Sequence, residues 1–219
     1  PGKGCVVGLT MQVPGGTAVN PDLVGVDISC GVLATGLSAR PDLSKLDEIC
    51  HRNIPSGFYA HKEPVSAQAG ELISALRCAA KLQNRQKLCC QMGTLGGGNH
   101  FIEVDELDGK FYLVIHSGSR NVGLQVAQHY TAAFNRGEMN VEDYVYDSAL
   151  MHIYAAENRR IMTEIILKRL KLERTDEIES VHNFIEQTTE GMIIIRKGAI
   201  SAYQNVRCVI PLNMRDGRS

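Results

Sequence analysis

The sequence predicts an α+β fold, and three observations carry that reading. Short runs of β-branched and apolar residues sit between glycines in the first third and the centre of the chain. Two stretches of helical periodicity are longer than any of these runs. The two kinds of segment do not alternate regularly, as they would in a doubly wound parallel sheet. No repeat or low-complexity tract interrupts the 219 residues.

The elements follow in order. "GCVVGLTMQV" and "GVDISCGVLATGL" read as strands broken by glycine turns. "RPDLSKLDEICHRNI" reads as a short helix, with Asp42 or Ser44 available to cap its start. "AGELISALRCAAKL" reads as an amphipathic helix, because Leu72, Ile73, Leu76 and Ala79 follow an i, i+3, i+4, i+7 pattern. "MGTLGGGNHFIEVDE" and "GKFYLVIHSGSRNVG" each join a strand-like run to a glycine-rich turn. "LQVAQHYTAAF" and the long stretch 141–172 read as helices. "SVHNFIEQ" follows, and "MIIIRKGAISAYQNVRCVIPL" reads as two strands around a turn.

Composition narrows the function classes. Hydrophobic residues make up 44% and charged residues 21%, which suits a folded globular chain with a sizeable core. The formal net charge of −1 means that any nucleic-acid contact must come from a local patch. No apolar run is as long as a membrane span, and no signal-like segment opens the sequence. The seven cysteines are odd in number and form no CxxC pair, so neither a disulfide framework nor a zinc ribbon is expected. The reading is a cytoplasmic protein with reduced thiols. Both ends, "PGKGCVVGL" and "NMRDGRS", read as interior sequence, which predicts part of a longer gene product.

The chemistry-bearing residues recur in one kind of setting. Asp27 and Cys30 stand three positions apart among small apolar neighbours. Of the seven histidines, His100 follows three glycines and Asn99, His116 ends an apolar run, and His182 precedes Asn183. His51, His61, His129 and His152 lie in helical or polar segments and read as incidental. A strand end opening into a small-residue turn is a common place for site residues, and glycine lets backbone approach a ligand closely. One carboxylate, one thiolate and three imidazoles could hold two metals if the thiolate bridges; Mn, Fe, Co and Zn all suit such donors. The competing reading is a turn aspartate, a buried cysteine and hydrogen-bonded core histidines. Lys3, Arg120, Arg196 and Lys197 are candidate phosphate or RNA contacts. "GTLGGGN" could cradle a phosphate, but it is neither a Walker A nor a Rossmann fingerprint.

Taken together, "PGKG", "GVDISCGV", "GTLGGGNHFIEV", "VIHSGSRNVG", "VHNF", "RKGAISA" and "IPLNMRDG" resemble the RtcB-type RNA ligases, in that order and over essentially the whole of 1–219. The resemblance implies an RtcB-like fold, with mixed sheets and flanking helices around a central metal and nucleotide cleft. It implies joining of RNA ends bearing a 2′,3′-cyclic phosphate or 3′-phosphate to 5′-hydroxyl ends, with GTP and two Mn²⁺ as cofactors. One metal would be held by Asp27, Cys30 and His100, the other by Cys30, His116 and His182. The guanylate would contact Asn99, His100, Phe101, Ile102, Glu103, His182, Asn183 and the run Pro211, Leu212, Asn213, Met214. Implied partners are RNA (tRNA halves or broken RNA) and an archease-type activator.

The sequence departs from the family pattern in one respect. The family's guanylated histidine lies in an "HGAGR"-like motif, which these residues do not contain. The expectation is therefore a partial catalytic domain, with no catalytic histidine of its own. It would need a complementary chain or segment to ligate. Two further readings stay open: a catalytically incomplete homologue that binds metal, nucleotide or RNA, and a metal-dependent phosphoesterase.

Overall fold

The computed structural model describes residues 6–210. Within them the chain forms two antiparallel sheets and a set of helices, an α+β arrangement as expected. The strands are β1 (Leu9–Pro14), β2 (Gly31–Leu37), β3 (Phe101–Leu107), β4 (Lys110–Ser117), β5 (Arg174–Val181), β6 (Asn183–Gln187) and β7 (Met192–Lys197). The helices are α1 (Leu43–Asn53), α2 (Gln68–Ala75), α3 (Arg85–Cys89), α4 (Arg120–Asn135) and α5 (Val141–Leu170). One sheet has the order β1-β7-β6, the other β3-β4-β2-β5.

Local chemistry explains most of these elements. Every residue of β2 is buried, so its apolar and small residues run without alternation, as suits a strand covered on both faces. The β3–β4 hairpin turns at Asp108 and Gly109, whose φ values of 51° and 72° give the paired left-handed residues that the strand twist favours. Asp42 caps α1 by accepting from the Lys45 N–H at 3.0 Å. Asn140 caps α5, with Glu142 and Asp143 in its first turn and Lys168 and Arg169 in its last, each sign matched to the helix dipole. Lys171 ends that helix in the left-handed conformation.

Helix α5 runs through the centre of the molecule. Its first half packs Tyr144, Met151 and Tyr154 into a core shared with α2, α4 and the three-stranded sheet. Its second half packs Met162, Ile166 and Leu167 against α1 and the four-stranded sheet. Four fully buried polar residues interrupt this apolar surface: Asp147, Asn158, Arg159 and Thr163. Asp147 accepts from the Arg77 and Cys78 N–H groups at 2.7 and 3.1 Å and from the Tyr130 hydroxyl at 2.7 Å. Arg159 donates from Nη1 to the carbonyls of Ser29 (3.1 Å) and Ser117 (2.7 Å), and from Nε and Nη2 to Glu179 (3.0 and 2.8 Å).

Two expected elements differ. The amphipathic helix over 69–82 stops at Ala75, and a separate 3-10 turn forms at Ala79–Lys81. The reason is Asp147, whose carboxylate takes the N–H groups of Arg77 and Cys78 that would otherwise continue the helix. The second strand expected near the end of "MIIIRKGAISAYQNVRCVIPL" does not form among the described residues. That segment lies along β5 through side chains instead: Arg207 pairs with Asp176 at 2.7 Å, and the Val209 N–H donates to Ser180 Oγ at 2.7 Å. No helix among the described residues is long and apolar enough to cross a membrane.

Removing the Arg159 guanidinium leaves two buried carbonyls and one carboxylate without their donor. Arg159→Met is expected to lower unfolding free energy by about 3 kcal/mol, read as a lower urea midpoint at unchanged slope. An unchanged midpoint would remove the bracing role given to this residue.

Candidate metal centre

Four donors reach one place because the strand register puts them there. In the four-stranded sheet Gly31 pairs with Ser117 and with Val181, and Val32 and Phe101 both pair with His116. Cys30 precedes β2, His100 precedes β3, His116 is the next-to-last residue of β4, and His182 follows β5. All four therefore stand at the same end of one sheet. Asp27 joins them from the turn before β2, where the Cys30 N–H donates to the Asp27 carbonyl at 3.2 Å and Ser29 sits at φ 59°. That turn aims a carboxylate and a thiol in one direction.

The donor atoms lie close together. Cys30 Sγ is 3.0 Å from His116 Nε2 and 3.5 Å from His100 Nε2, and the three ligand atoms all fall within 4.8 Å of one another. Asp27 Oδ2 is 2.8 Å from His100 Nε2. The His182 ring stands edge-on to His116, with centroids 5.1 Å apart. The main-chain N–H of His182 also donates to the Cys30 carbonyl at 3.0 Å, which fixes the two ligand-bearing segments together.

The surroundings prepare these groups to bind a cation. His100 Nδ1 lies 2.9 Å from the Leu95 carbonyl, which can only accept, so that nitrogen carries an N–H. Its Nε2 faces a carboxylate oxygen of Asp27 at 2.8 Å, a contact that takes a shared proton or a metal between the two atoms. Burial, followed by the neighbouring imidazoles His182 and His100, pushes His116 down to about 4. Burial, followed by the charge of Arg159, does the same to His182. Burial, then Asp27, pushes the Cys30 thiol up. Burial also acts to raise Asp27, but the hydrogen bond and charge of His100, with Cys30 and Arg120 behind them, hold it below its ordinary value. At neutral pH the lone pairs of His116 and His182 are free. The thiol gives up its proton only to a metal.

Two glycines make room. A Cβ on Gly118 would lie 2.2 Å from Asp27 Oδ1. A Cβ on Gly96 would lie inside the Arg120 guanidinium, at 1.9 Å from Nη1. These contacts give the "HSGSR" and "GTLGGGN" glycines a steric reason. Arg120 donates to Thr94 Oγ1 at 3.2 Å and to the Gly57 carbonyl at 3.4 Å, and its Nη1 stands 3.5 Å from His100 Nδ1.

The remaining candidates are placed as follows. Asn99 is exposed beside the glycines, Phe101 packs edge-on to His116 at 5.1 Å, Ile102 joins the second core, and Glu103 is exposed on β3. Asn183 accepts from the Gly198 N–H at 2.9 Å. Arg196 is buried, with its guanidinium on Glu186 (2.6 Å) and the Tyr203 hydroxyl (3.2 Å). Lys197 is buried and donates to the Asp22 carbonyl at 2.7 Å. Lys3, Pro211, Leu212, Asn213 and Met214 lie outside the described residues.

Of the four histidines read as incidental, His61 bonds the Gly93 carbonyl at 2.9 Å and His51 is exposed on α1. His152 lies 3.4 Å from Ser29 Oγ, within the Asp27–Cys30 turn, but outside the donor group. The sequence reading missed Asn158 and Arg159. Asn158 donates to Ser117 Oγ (3.1 Å) and the Gly118 carbonyl (3.2 Å), and accepts from the N–H groups of Gly93 and Thr94 (2.8 and 3.0 Å). Nothing in the local sequence separates these two from the solvated polar residues around them on α5.

Comparison with known proteins gives a consistent answer. Residues 65–218 match the family described as tRNA-splicing ligase RtcB. RNA-splicing ligase RtcB1 of Escherichia coli is 28% identical over 97% of this chain and 65% of its own length. The tRNA-splicing ligase RtcB of Thermococcus kodakarensis is 24% identical over 90% of this chain and 59% of its own. That of Aeropyrum pernix is 30% identical over 54% of this chain. The chain thus spans under two thirds of the length of these relatives. The Escherichia coli match runs over 268 positions, more than the 219 residues here, so that relative carries insertions within the matched span. With the family matched over most of its residues, this chain belongs to the tRNA-splicing ligase RtcB family.

Proposed function

We propose that this chain is the metal-binding core of a GTP- and Mn²⁺-dependent RNA ligase, acting on 2′,3′-cyclic phosphate or 3′-phosphate ends and 5′-hydroxyl ends. The observation that carries the reading is the convergence of Cys30, His100 and His116 at one sheet end, in a chain of this family. Asp27, Cys30 and His100 would hold one metal; Cys30, His116 and His182 would hold the other, with the thiolate shared. Bound there, the metals would neutralise phosphate charge and orient the reacting groups.

The chain's own residues have distinct parts in this reading. Asn99 through Glu103, His182 and Asn183 form the side assigned to the guanylate, as would Pro211 to Met214. Exposed Asn99 beside three glycines supports backbone approach to a nucleotide. Arg120, 3.5 Å from His100 Nδ1, suits a phosphate oxygen, and Lys3 is a further candidate; the donors of Arg196 and Lys197 are taken within the fold. The histidine that takes the guanylyl group is assigned to an "HGAGR"-like motif, which residues 1–219 do not contain. RNA is the proposed substrate, an archease-type activator a proposed partner, and the cytoplasm the proposed compartment.

Elemental analysis and Mn²⁺ titration test this directly. The wild-type chain is expected to take up two metals, and Cys30→Ala to lose both while staying folded. His152→Ala, outside the donor group, is expected to keep them. Stoichiometric metal in the Cys30 variant would end the bridging role. With Co²⁺ as probe, a thiolate-to-metal charge-transfer band should appear in the wild type and be absent in Cys30→Ala.

Gly118→Ala is a subtler test, because it removes no ligand. Its Cβ displaces the Asp27 carboxylate, so metal affinity is expected to fall about 10- to 100-fold with the fold retained. Unchanged affinity in that variant would exclude Asp27 from the ligand set.

A further inference from the structure

A cleft of about 610 Å³ lies between the C-terminal end of α1 and the second half of α5. Pro55, Val65 and Ile161 supply apolar wall, and Arg52, Lys62 and Arg169 supply charge. Arg52 pairs with Glu48 across exposed surface at 2.8 Å. Lys62 and Arg169 have no carboxylate within ion-pair distance among the described residues, and the one acid lining the cleft, Glu164, is held by Arg174. In the turn between the lining residues Pro55 and Ala60, Phe58 is 95% exposed and Tyr59 78%, the two most exposed large hydrophobic side chains among the described residues.

These two rings are not on a loose loop. The Tyr59 N–H donates to the Ser56 carbonyl at 3.1 Å, which closes the turn, and Gly57 takes φ 60°. The turn is tied to the glycine loop beside His100: the Leu95 N–H donates to the Pro55 carbonyl at 2.9 Å and the Gly57 N–H to the Gly96 carbonyl at 2.8 Å. Arg120 donates to the Gly57 carbonyl at 3.4 Å, and its Nη1 stands 3.5 Å from His100 Nδ1. One guanidinium therefore separates the aromatic turn from the candidate metal ligands.

We propose that this surface binds single-stranded RNA, with bases stacked on Phe58 and Tyr59 and phosphates held by Lys62, Arg169 and Arg52. Exposed rings beside unpaired cations are the combination that single strands use; a duplex keeps its bases stacked on one another and cannot reach the rings. In a chain of net charge −1, such a local cluster is where the electrostatic attraction must come from. The inference deepens the ligase reading above by placing the strand that leads away from the reacting end.

The test is fluorescence anisotropy with a labelled single-stranded RNA of about ten nucleotides carrying a 3′-phosphate. Wild-type chain is compared with Phe58→Ala/Tyr59→Ala and with Lys62→Ala/Arg169→Ala. The ring variant is expected to bind at least about 10-fold more weakly. The cation variant should bind more weakly, with a salt slope about 1.4 smaller in magnitude, roughly 0.7 for each lost phosphate contact. Both variants should take up metal as the wild type does.

Three results would overturn the proposal: RNA affinity unchanged in the ring variant, a duplex bound as tightly as the single strand, or polyglutamate competing as well as RNA. A wild-type chain that binds RNA through the rings but takes up no metal would support the cleft and defeat the metal-core reading. Full metal uptake with unchanged RNA affinity in the ring variant would do the reverse.

Discussion

The arrangement rests on a guanidinium with no contact to solvent. Arg159 sits mid-way along α5, wholly buried, and its donors reach three other parts of the chain. Burying a cation costs several kcal/mol unless every donor is matched, and here the matches are two carbonyls and a carboxylate. Those carbonyls belong to Ser29 and Ser117, the neighbours of Cys30 and His116. One side chain thus sets the backbone beside two candidate ligands and ties both to β5, which leads into a third candidate, His182. Its charge also helps to keep His182 and His116 deprotonated, behind the larger effect of burial. The same group serves position and lone-pair availability.

Asn158 completes the brace from the next position on the helix. It holds Ser117 and Gly118 on one side and the N–H groups of Gly93 and Thr94 on the other. These are the loops that carry His116 and His100. Because α5 is clamped at both ends by separate apolar cores, the two polar residues between them have little freedom. Rigid support of this kind is what a site needs when its ligands come from segments as far apart in sequence as Asp27 and His182.

How much of this was legible in the sequence depended on whether the cause was local. Strand ends with glycine turns marked Cys30, His100 and His116, and the structure does bring them together. The caps of α1 and α5 were set by nearby residues, and those helices form close to where periodicity put them. The early end of α2 was not legible, because the carboxylate that stops it is Asp147, about 70 residues on. Arg159 and Asn158 read as ordinary polar residues of a long helix, since the carbonyls they serve belong to other elements. Arg196 and Lys197 read as strand-end cations. In the fold their donors are spent on Glu186, Tyr203 and the Asp22 carbonyl, partners that only the sheet brings near.

The electrostatics of the ligand group point in one direction. Without a metal, His116 and His182 are held neutral, the thiol holds its proton, and the charged form of Asp27 is favoured. The group is close to the least charge that such a donor set can carry in a buried place, which limits the desolvation cost of keeping it folded without metal. A divalent cation reverses the balance at Cys30, because a coordinated thiol is deprotonated outright. The group thus carries little charge as folded, and a bound cation would add the Cys30 thiolate to it. Asp27, with its side chain 29% exposed, keeps His100 Nε2 as its partner at 2.8 Å, and a shared cation would take the place of that contact.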